Sequence, residues 1–489
     1  MLFNSHIFML LFLPLLLAGW YFLNWKKKFQ LAQGYLIGMS LWFYAYANLQ
    51  YLWLLLFSCL IGWLLSCVPE KISSEKGKKV LTGVGCVFHL GLLGYFKYSN
   101  FFLENLNTVF HTDFPMLQIL LPVGISFYTF QQLAYLIDRC RGDAPRDSFF
   151  DYLTFMVYFP QLLQGPILLR SEFMEQLKEP ERRRFHAERF SEGIQFFVFG
   201  LAKKVLLADT LAKAVNYGYS NVSMLDSISA LLLAVGYLTE LYFDFSGYCD
   251  MAVGLGKMIG LEVAENFDAP FHSASVKEFW RRWHMTLGRF FTRYVYIPLG
   301  GNRKGKMGTL CNVMIVMLLS GLWHGAAWTF VLWGFLHGVG MIWDNLEHPH
   351  LPKKWMRQAA TFAYVCMTFV FFRAESIAQG VDVLKSIVSL KWNGFVFQMA
   401  SALDLTEFYM ITKALSMKLP GLLSWFWLGI FVVLIAICFR VLSGEKVSGV
   451  VALQRQKGYG RLYPVLLAVL FTWSMISMTG VSEYLYFSF

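Results

Sequence analysis

Charge is scarce in this chain. Of 489 residues only 15% are Asp, Glu, Lys or Arg and 57% are hydrophobic, against roughly 25% charged in a soluble protein. That shortfall excludes an ordinary soluble fold, and several uncharged runs approach the roughly 20 residues that a membrane-crossing helix needs. Ten-residue units of alternating polar and apolar residues are missing, which argues against a transmembrane β-barrel. The spans are therefore expected to be helices, which satisfy their own backbone in lipid. The eight cysteines contain no Cys-x-x-Cys pair. Most lie in apolar runs and read as small buried hydrophobes, not as a metal site or disulfide framework. His-Glu-x-x-His, Gly-x-Ser-x-Gly and a Walker loop are also missing, so zinc proteases, α/β-hydrolases and P-loop enzymes have no support. No internal repeat is evident, in contrast to the two-halved design of many transporters. No linker sets off a soluble domain, so residues 1–489 read as one membrane-embedded domain. The run 2–24 lacks a basic n-region and a small-residue cleavage site, and is expected to be a retained first span; no lipidation motif occurs.

What charge there is has a pattern. The net charge is +11, and the positive residues sit in short stretches between apolar runs, as the positive-inside rule expects; nucleic acid is not an expected partner. The spans are expected near 2–24, 29–47, 50–68, 79–97, 117–137, 192–216, 226–246, 307–325, 326–344, 358–372, 422–442 and 462–481. Basic stretches such as Lys26-Lys27-Lys28, 71–79, 170–191, 268–306, 347–357 and 444–461 would lie in the cytoplasm. Segments 99–116 and 373–421 would lie outside. Residues 149–167 are apolar between basic flanks and interrupted by Pro160, Gly165 and Pro166, so a re-entrant segment is expected, pointing to a funnel open to the cytoplasm. The fold class is an all-α polytopic membrane protein of eleven to thirteen tilted spans plus re-entrant pieces.

Between Met307 and Trp343 there is no Lys, Arg, Asp or Glu, yet His324 stands in the middle. An ionisable group at membrane depth is costly and marks a functional candidate, although a histidine can also serve only to hydrogen-bond two helices together. Gly321 and Gly325 let other backbone approach. Trp323 and Trp328 would give an apolar surround, in which a neutral imidazole can act as a general base. His337 is expected to pack. His284 lies 40 residues upstream in a basic, aromatic stretch from Phe279 to Lys304. Read as one helix, Arg281, His284 and Gly288 share a face, while Arg282, Arg289 and Arg293 gather on the next. That stretch suits an interfacial helix, or a basic wall that docks a phosphate-bearing acyl donor. Glu240 and Asp244 are four apart on one helical face, and buried acids are usually paired. Tyr128, Gln131 and Gln132 are expected to line the same cavity, mostly in a structural role.

The Trp280-to-His284 element, the Tyr294-to-Asn302 turn, the Tyr242-to-Asp250 stretch and Leu322-Trp323-His324-Gly325 together resemble the membrane-bound O-acyltransferase family. The likeness extends over most of the chain, from Met1–Ser5 to Tyr486–Phe489. It lies nearest the bacterial alginate O-acetylase membrane subunit branch, with the teichoic acid D-alanyl transfer branch beside it. The resemblance implies a ring of helices around a central funnel, in the bacterial cytoplasmic membrane. His324 and His284 would be the catalytic pair, and Arg281, Arg282, Asp244, Asn302 and Trp323 would bind donor or substrate. It implies no bound cofactor or metal. An acyl-CoA or acyl-carrier protein would donate the acyl group, most simply acetyl, to a cell-surface polysaccharide or a secreted or membrane-anchored acetyltransferase partner. D-Alanyl transfer to teichoic acid is the alternative within the family, and a non-enzymatic transport or scaffold subunit is the alternative outside it. One departure stands out: an Arg-Asp pair is expected before Tyr294, and Thr292-Arg293 occupies the place.

Overall fold

A computed structural model describes residues 1–47, 49–346, 353–442, 446–457, 460, 462–478 and 484–485. The C-terminal part of the likeness, 486–489, and parts of the expected loops 347–357 and 444–461 lie outside the described residues. Among the described residues every regular element is helical, and six helices are long and apolar enough to cross a membrane. These are α1 (Phe8–Trp25), α2 (Leu49–Lys71), α3 (Glu75–Phe110), α6 (Ser227–Ile259), α9 (Gly305–His324) and α12 (Pro420–Leu442). Between them run α4 (Ile125–Arg141), α5 (Ala187–Ala202), α7 (Val276–Arg282), α8 (Met285–Phe291), α10 (Trp328–Asn345) and α11 (Lys354–Arg373). The chain is a multi-pass membrane protein.

The helix α6 is the axis of the molecule. Its 33 residues make a rod of about 50 Å, and 78% of its apolar window is buried, the opposite of a lipid-facing span such as α12 at 17%. Its tightest partner is α5. A Cβ at Gly200 would lie 2.5 Å from the Gly247 carbonyl oxygen, and one at Gly254 would lie 2.6 Å from that of Gly193. Glycine pairs seven residues apart on both helices thus bring the two backbones into contact, as small residues do between membrane helices. The contact carries Lys203 and Lys204, in the π-turn that extends α5, up to the carboxylates of α6. Lys203 meets Asp250 at 2.6 Å; Lys204 meets Asp244 at 2.6 Å and Asp209 at 2.8 Å. Asp244 is paired, as expected, and so is Asp250, both with lysines; Glu240, expected to be paired too, is buried with its Oε2 lacking a hydrogen-bond partner among the described residues.

Near its middle α6 is also met by segments from opposite ends of the chain. Phe3 stacks on Tyr248 at 4.7 Å, and Tyr484 meets the same ring edge-on at 5.1 Å. The backbone N–H of Leu485 donates to Asp244 at 3.0 Å.

Two stretches depart from the sequence expectation. The span expected at 79–97 does not give way to a loop; it continues through a π-turn at Gly94–Tyr98 into a helix to Phe110. The polar residues there fold back on the following strand of chain, with Asn100 and Leu117 exchanging two hydrogen bonds. The segment 149–167 is broken, as its prolines and glycine suggest, into helices Phe149–Val157 and Phe159–Leu162, and 154–168 are buried in protein.

Candidate functional site

His324 is the last residue of α9. Its position is set by the α9–α10 hairpin, in which a Cβ added at Gly321 would lie 2.3 Å from the Phe330 carbonyl oxygen and 3.3 Å from Gly334 Cα. No other residue type lets the helices close to this distance. The carbonyls that end a helix lack intrahelical donors. Here Lys97 Nζ donates to both Trp323 O and His324 O at 2.8 Å, and the Tyr98 hydroxyl donates to Leu322 O at 2.5 Å. The π-turn of α3 is what aims these two side chains at α9. The imidazole, 4% exposed, is walled by Trp323, Phe372 and Trp333, with ring centroids 4.9, 5.1 and 5.2 Å away. Trp328 is not part of this wall. It is 56% exposed and donates to Asn105 Oδ1 at 2.8 Å; five residues further along α10, Trp333 takes the place expected of it.

His284 approaches from a different kind of element. The single helix expected across 280–293 is overturned: α7 stops at Arg282, Trp283 is extended, and His284 has φ 46° and ψ 51° before α8 begins. A left-handed conformation is uncommon for a residue other than glycine and is held by its surroundings. The restraint is the loop 266–268, whose backbone trades bonds across the kink: Asp268 N–H donates to Arg282 O at 2.9 Å and Met285 N–H to Asn266 O at 3.0 Å. Trp283, buried to 2% exposure, fills the space beneath. The faces proposed for Arg281, Arg282, Arg289 and Arg293 on one continuous helix therefore do not exist.

The Asn266 side chain decides the tautomer of His284. Its Oδ1 accepts from the Thr286 backbone N–H at 3.1 Å and the Thr286 hydroxyl at 3.0 Å, and lies 3.3 Å from His284 Nδ1. A backbone N–H can only donate, so this atom is the amide oxygen, and His284 Nδ1 must carry the proton. The basic lone pair then sits on Nε2. Burial pushes the His284 imidazole down to about 3, so it is neutral at pH 7. Its ring lies against Phe245 at 4.8 Å, Trp323 at 6.1 Å and His324 at 6.5 Å.

The structure thus brings His324, His284 and Trp323 together. The other candidates are elsewhere. Arg281 and Asn302 are exposed. Arg282 is held by Glu278 at 2.9 Å and by the Asp268 carbonyl at 3.2 Å. Asp244 faces Lys204. Gln131 donates to Phe155 O at 3.0 Å, and Gln132 pairs with Ser58, so both amides serve packing. His337 packs, fully bonded: Trp280 Nε1–H donates to its Nδ1 at 3.2 Å, and its Nε2 meets the Thr368 hydroxyl at 2.9 Å. The acid missing beside Arg293 is supplied from α4. Arg293 binds Asp138 and Asp143, each at 3.0 Å, and Tyr294 donates to Asp138 at 2.9 Å.

Sequence reasoning missed Lys97 and Asn266. Lys97 had a signal: it is the only Lys, Arg, Asp or Glu between Lys79 and Glu104, the same kind of isolation that singled out His324. A cavity of about 50 Å³ lies against His324, lined also by Lys97, Pro122, Gly124, Ser126 and Leu163. A larger one of about 1090 Å³ reaches Asn266 from the other side and contains the Lys203–Asp250 pair. Among the described residues no group of three His, Cys, Asp or Glu is placed to hold a metal.

Comparison with known proteins adds to this geometry. The model of the membrane-bound O-acyltransferase family matches residues 141–379. A peptidoglycan O-acetyltransferase of Helicobacter pylori is 35% identical over 423 residues, 80% of each chain. A probable alginate O-acetylase of Pseudomonas putida is 39% identical over 392 residues, 77% of this chain and 78% of the relative. A teichoic acid D-alanyltransferase of Bacillus subtilis is 28% identical over 272 residues, 52% of this chain and 69% of the relative.

Proposed function

This chain belongs to the membrane-bound O-acyltransferase family, and on that premise we propose that His324 and His284 carry acyl transfer through the bacterial cytoplasmic membrane to a cell-surface polysaccharide. As an O-acyltransferase the protein is an enzyme, which sets aside a passive scaffold. Relatives that span most of its length are named for acetylation of peptidoglycan and alginate, and an acetyl group is accordingly the one moved here.

The observation that carries the residue assignment is the meeting of two buried imidazoles, 6.5 Å between centroids, from elements 40 positions apart in sequence. In this reading an acetyl thioester, from acetyl-CoA or an acyl-carrier protein, reaches the pair from the cytoplasm, past the basic surface that includes Arg281 and the 170–191 segment. The acceptor hydroxyl approaches from the outer side, on the glycan itself or on a secreted or membrane-anchored acetyltransferase that passes the group on. His324 takes the hydroxyl proton as the oxygen bonds to the acyl carbon. The carbon–sulfur bond breaks, and the imidazolium returns the proton to the departing thiolate. Neutral His284, fixed by Asn266, orients the reacting groups. The ring of eleven to thirteen spans around a funnel is the architecture this path requires, built as one domain over residues 1–489.

The test is transfer from a radiolabelled acetyl thioester into surface glycan by cells or membranes carrying His324→Ala. We expect transfer to disappear while the variant inserts in the membrane at wild-type amounts. Normal glycan acetylation by that variant overturns the assignment.

A further inference from the structure

We propose that the cavity of about 1090 Å³ between α12 and the helix Leu462–Ser477 is a binding site for one phospholipid of the surrounding bilayer, zwitterionic in its headgroup. Lipid binding here goes beyond the acyl-transfer reading and does not depend on it.

The cavity is a gap between spans. α12 packs on the helix Phe395–Ser401, and Leu462–Ser477 packs on α5 and its π-turn. Ile430, Val433, Leu434, Ile437 and Val441 line one side of the gap, at the spacing of a single helix face. Leu470, Trp473 and Ser477 line the other. Val433 and Trp473 are exposed and bound the gap where it opens to the bilayer. Of the 40 described residues on the lining, 26 are hydrophobic, so hydrocarbon is a better filling than water.

Length and size favour a lipid. The lining runs from Tyr242 to Val253 along α6 and from Ile430 to Val441 along α12, in each case about 16 Å at the rise of an α-helix. That is close to half of the roughly 30 Å hydrocarbon core, the reach of a lipid tail within one leaflet. A transmembrane helix of a partner protein would need the whole thickness. At roughly 10–15 Å³ for each water-sized group, the volume takes on the order of 70–110 such groups, enough for the about 50 non-hydrogen atoms of a phospholipid.

Charge separates a lipid from a nucleotide-bearing donor. Among the described residues the lining carries Lys203, Lys213, Arg440 and Lys446 against Asp209, Asp250, Glu265 and Glu407, so the two signs balance. Lys203 meets Asp250 at 2.6 Å, and Lys446 lies 3.9 Å from Glu265 and 3.1 Å from Asp268. A polyanion such as the phosphorylated nucleotide of CoA finds no excess of cations here to offset its desolvation. A zwitterion finds both signs at one end. Lys446 takes the phosphate, and Glu265, which accepts from the Ser448 hydroxyl at 3.2 Å, takes the ammonium. The tail then lies along Val205, Cys249 and Leu434. Glu265 directly precedes Asn266, so the headgroup adjoins the residue that fixes His284.

The test places the full chain in nanodiscs of phosphatidylethanolamine that carries a photoactivatable diazirine on one tail. Bulk lipid labels the exposed outside of the spans. A seated tail also labels Val205, Cys249 and Leu434, which line the cavity and are buried. We expect these three to be labelled at least about tenfold more than Leu16 and Leu55, which are buried away from the cavity. Ile437→Trp should fill the gap and abolish labelling of the buried three. Val432→Trp, exposed on the same helix but off the lining, should leave it intact. Excess acetyl-CoA should leave it intact as well, and the phosphatidylglycerol analogue should label the three several-fold less. Labelling of the wild type confined to exposed residues overturns the proposal, as does labelling that acetyl-CoA abolishes, or a partner protein crosslinked at these three positions in place of lipid. Equal labelling by the two lipids overturns the zwitterionic headgroup. The wild-type measurement needs no variant, so a substitution that fails to fold does not protect the proposal.

Discussion

Replacing Gly321 with alanine should disable the site without touching a reacting group. The added Cβ would lie 2.3 Å from the Phe330 carbonyl oxygen, and side-chain carbons essentially never approach other atoms closer than 3.0 Å. The obstacle is backbone, so no rotamer change relieves it; α9 and α10 must part by about 0.7 Å, from 2.3 to 3.0 Å. Overpacking of this kind costs about 1–3 kcal/mol of stability, which a membrane protein of this size should survive. Catalysis is more sensitive. His324 lies three residues beyond Gly321 on α9, whereas Trp333 of its wall lies on α10. Parting the helices therefore moves the imidazole against its own pocket and against His284. A misplacement on the order of 1 Å costs about 100-fold in rate, so we expect a 10- to 100-fold fall in acetyl transfer. The assay is transfer from a labelled acetyl thioester, normalised to the protein inserted in the membrane. Gly83→Ala is the control, since a Cβ there meets nothing within 4 Å, and it should transfer at the wild-type rate. A Gly321→Ala protein that transfers as fast as wild type would refute the claim that this contact positions His324.

Substitutions at three further residues have expected outcomes. Asn266→Ala leaves the donors of Thr286 and His284 without their acceptor, at about 1–3 kcal/mol for each buried group, and should slow transfer. Asn266→Asp keeps an acceptor but favours the imidazolium, so the acid limb of its pH–rate profile should move to higher pH; an unshifted profile in the Asp variant refutes the tautomer assignment. Lys204→Met strips the cation from Asp244 and should lower stability by about 3–5 kcal/mol, read as a lowered Tm in detergent, and the double variant with Asp244→Asn should recover part of the loss. Glu278 is pulled below its ordinary 4.5: burial works to raise it, but the Ala274 N–H and the Arg282 guanidinium outweigh that. A lowered carboxyl contributes stability that is present above 4.5 and fades as pH falls through its folded value. Acid unfolding below that pH should therefore be less steep in Glu278→Gln, and an identical acid profile in the two proteins would count against it.

Much of the scaffold around His324 was legible because the signals are local. The uncharged stretch 307–343 is punctuated by Gly325-Ala326-Ala327, and the helices end and begin there, at His324 and Trp328. The shape of the 276–291 segment was not legible. Its residues favour helix, and the kink at Trp283-His284 is imposed by hydrogen bonds from Asn266 and Asp268, a loop that no local pattern ties to it. The same holds for the meeting of His284 with His324, for the exchange of Trp328 for Trp333, and for the acid that Asp138 lends to Arg293. In each case the deciding partner is distant in sequence and close in space. Lys97 is a different case, since the cost of an isolated charge in an apolar run is visible in the sequence itself.

The pairing of Phe3 and Tyr484 on Tyr248 bears on how the protein is made. Two residues separated by almost the whole length of the chain close over one ring at the centre of α6, and Leu485 supplies a hydrogen bond to an aspartate already tied to Lys204. Contacts of such long range are slow to form, and a chain acquires them only after both partners have been synthesised. While translation continues, Asp244 and Lys204 wait at the core with their cover incomplete. Assembly of the central helix is thus tied to synthesis as far as Leu485, and a nascent chain stalled before Tyr484 should remain open to proteolysis at its core even though α1 to α12 are already made.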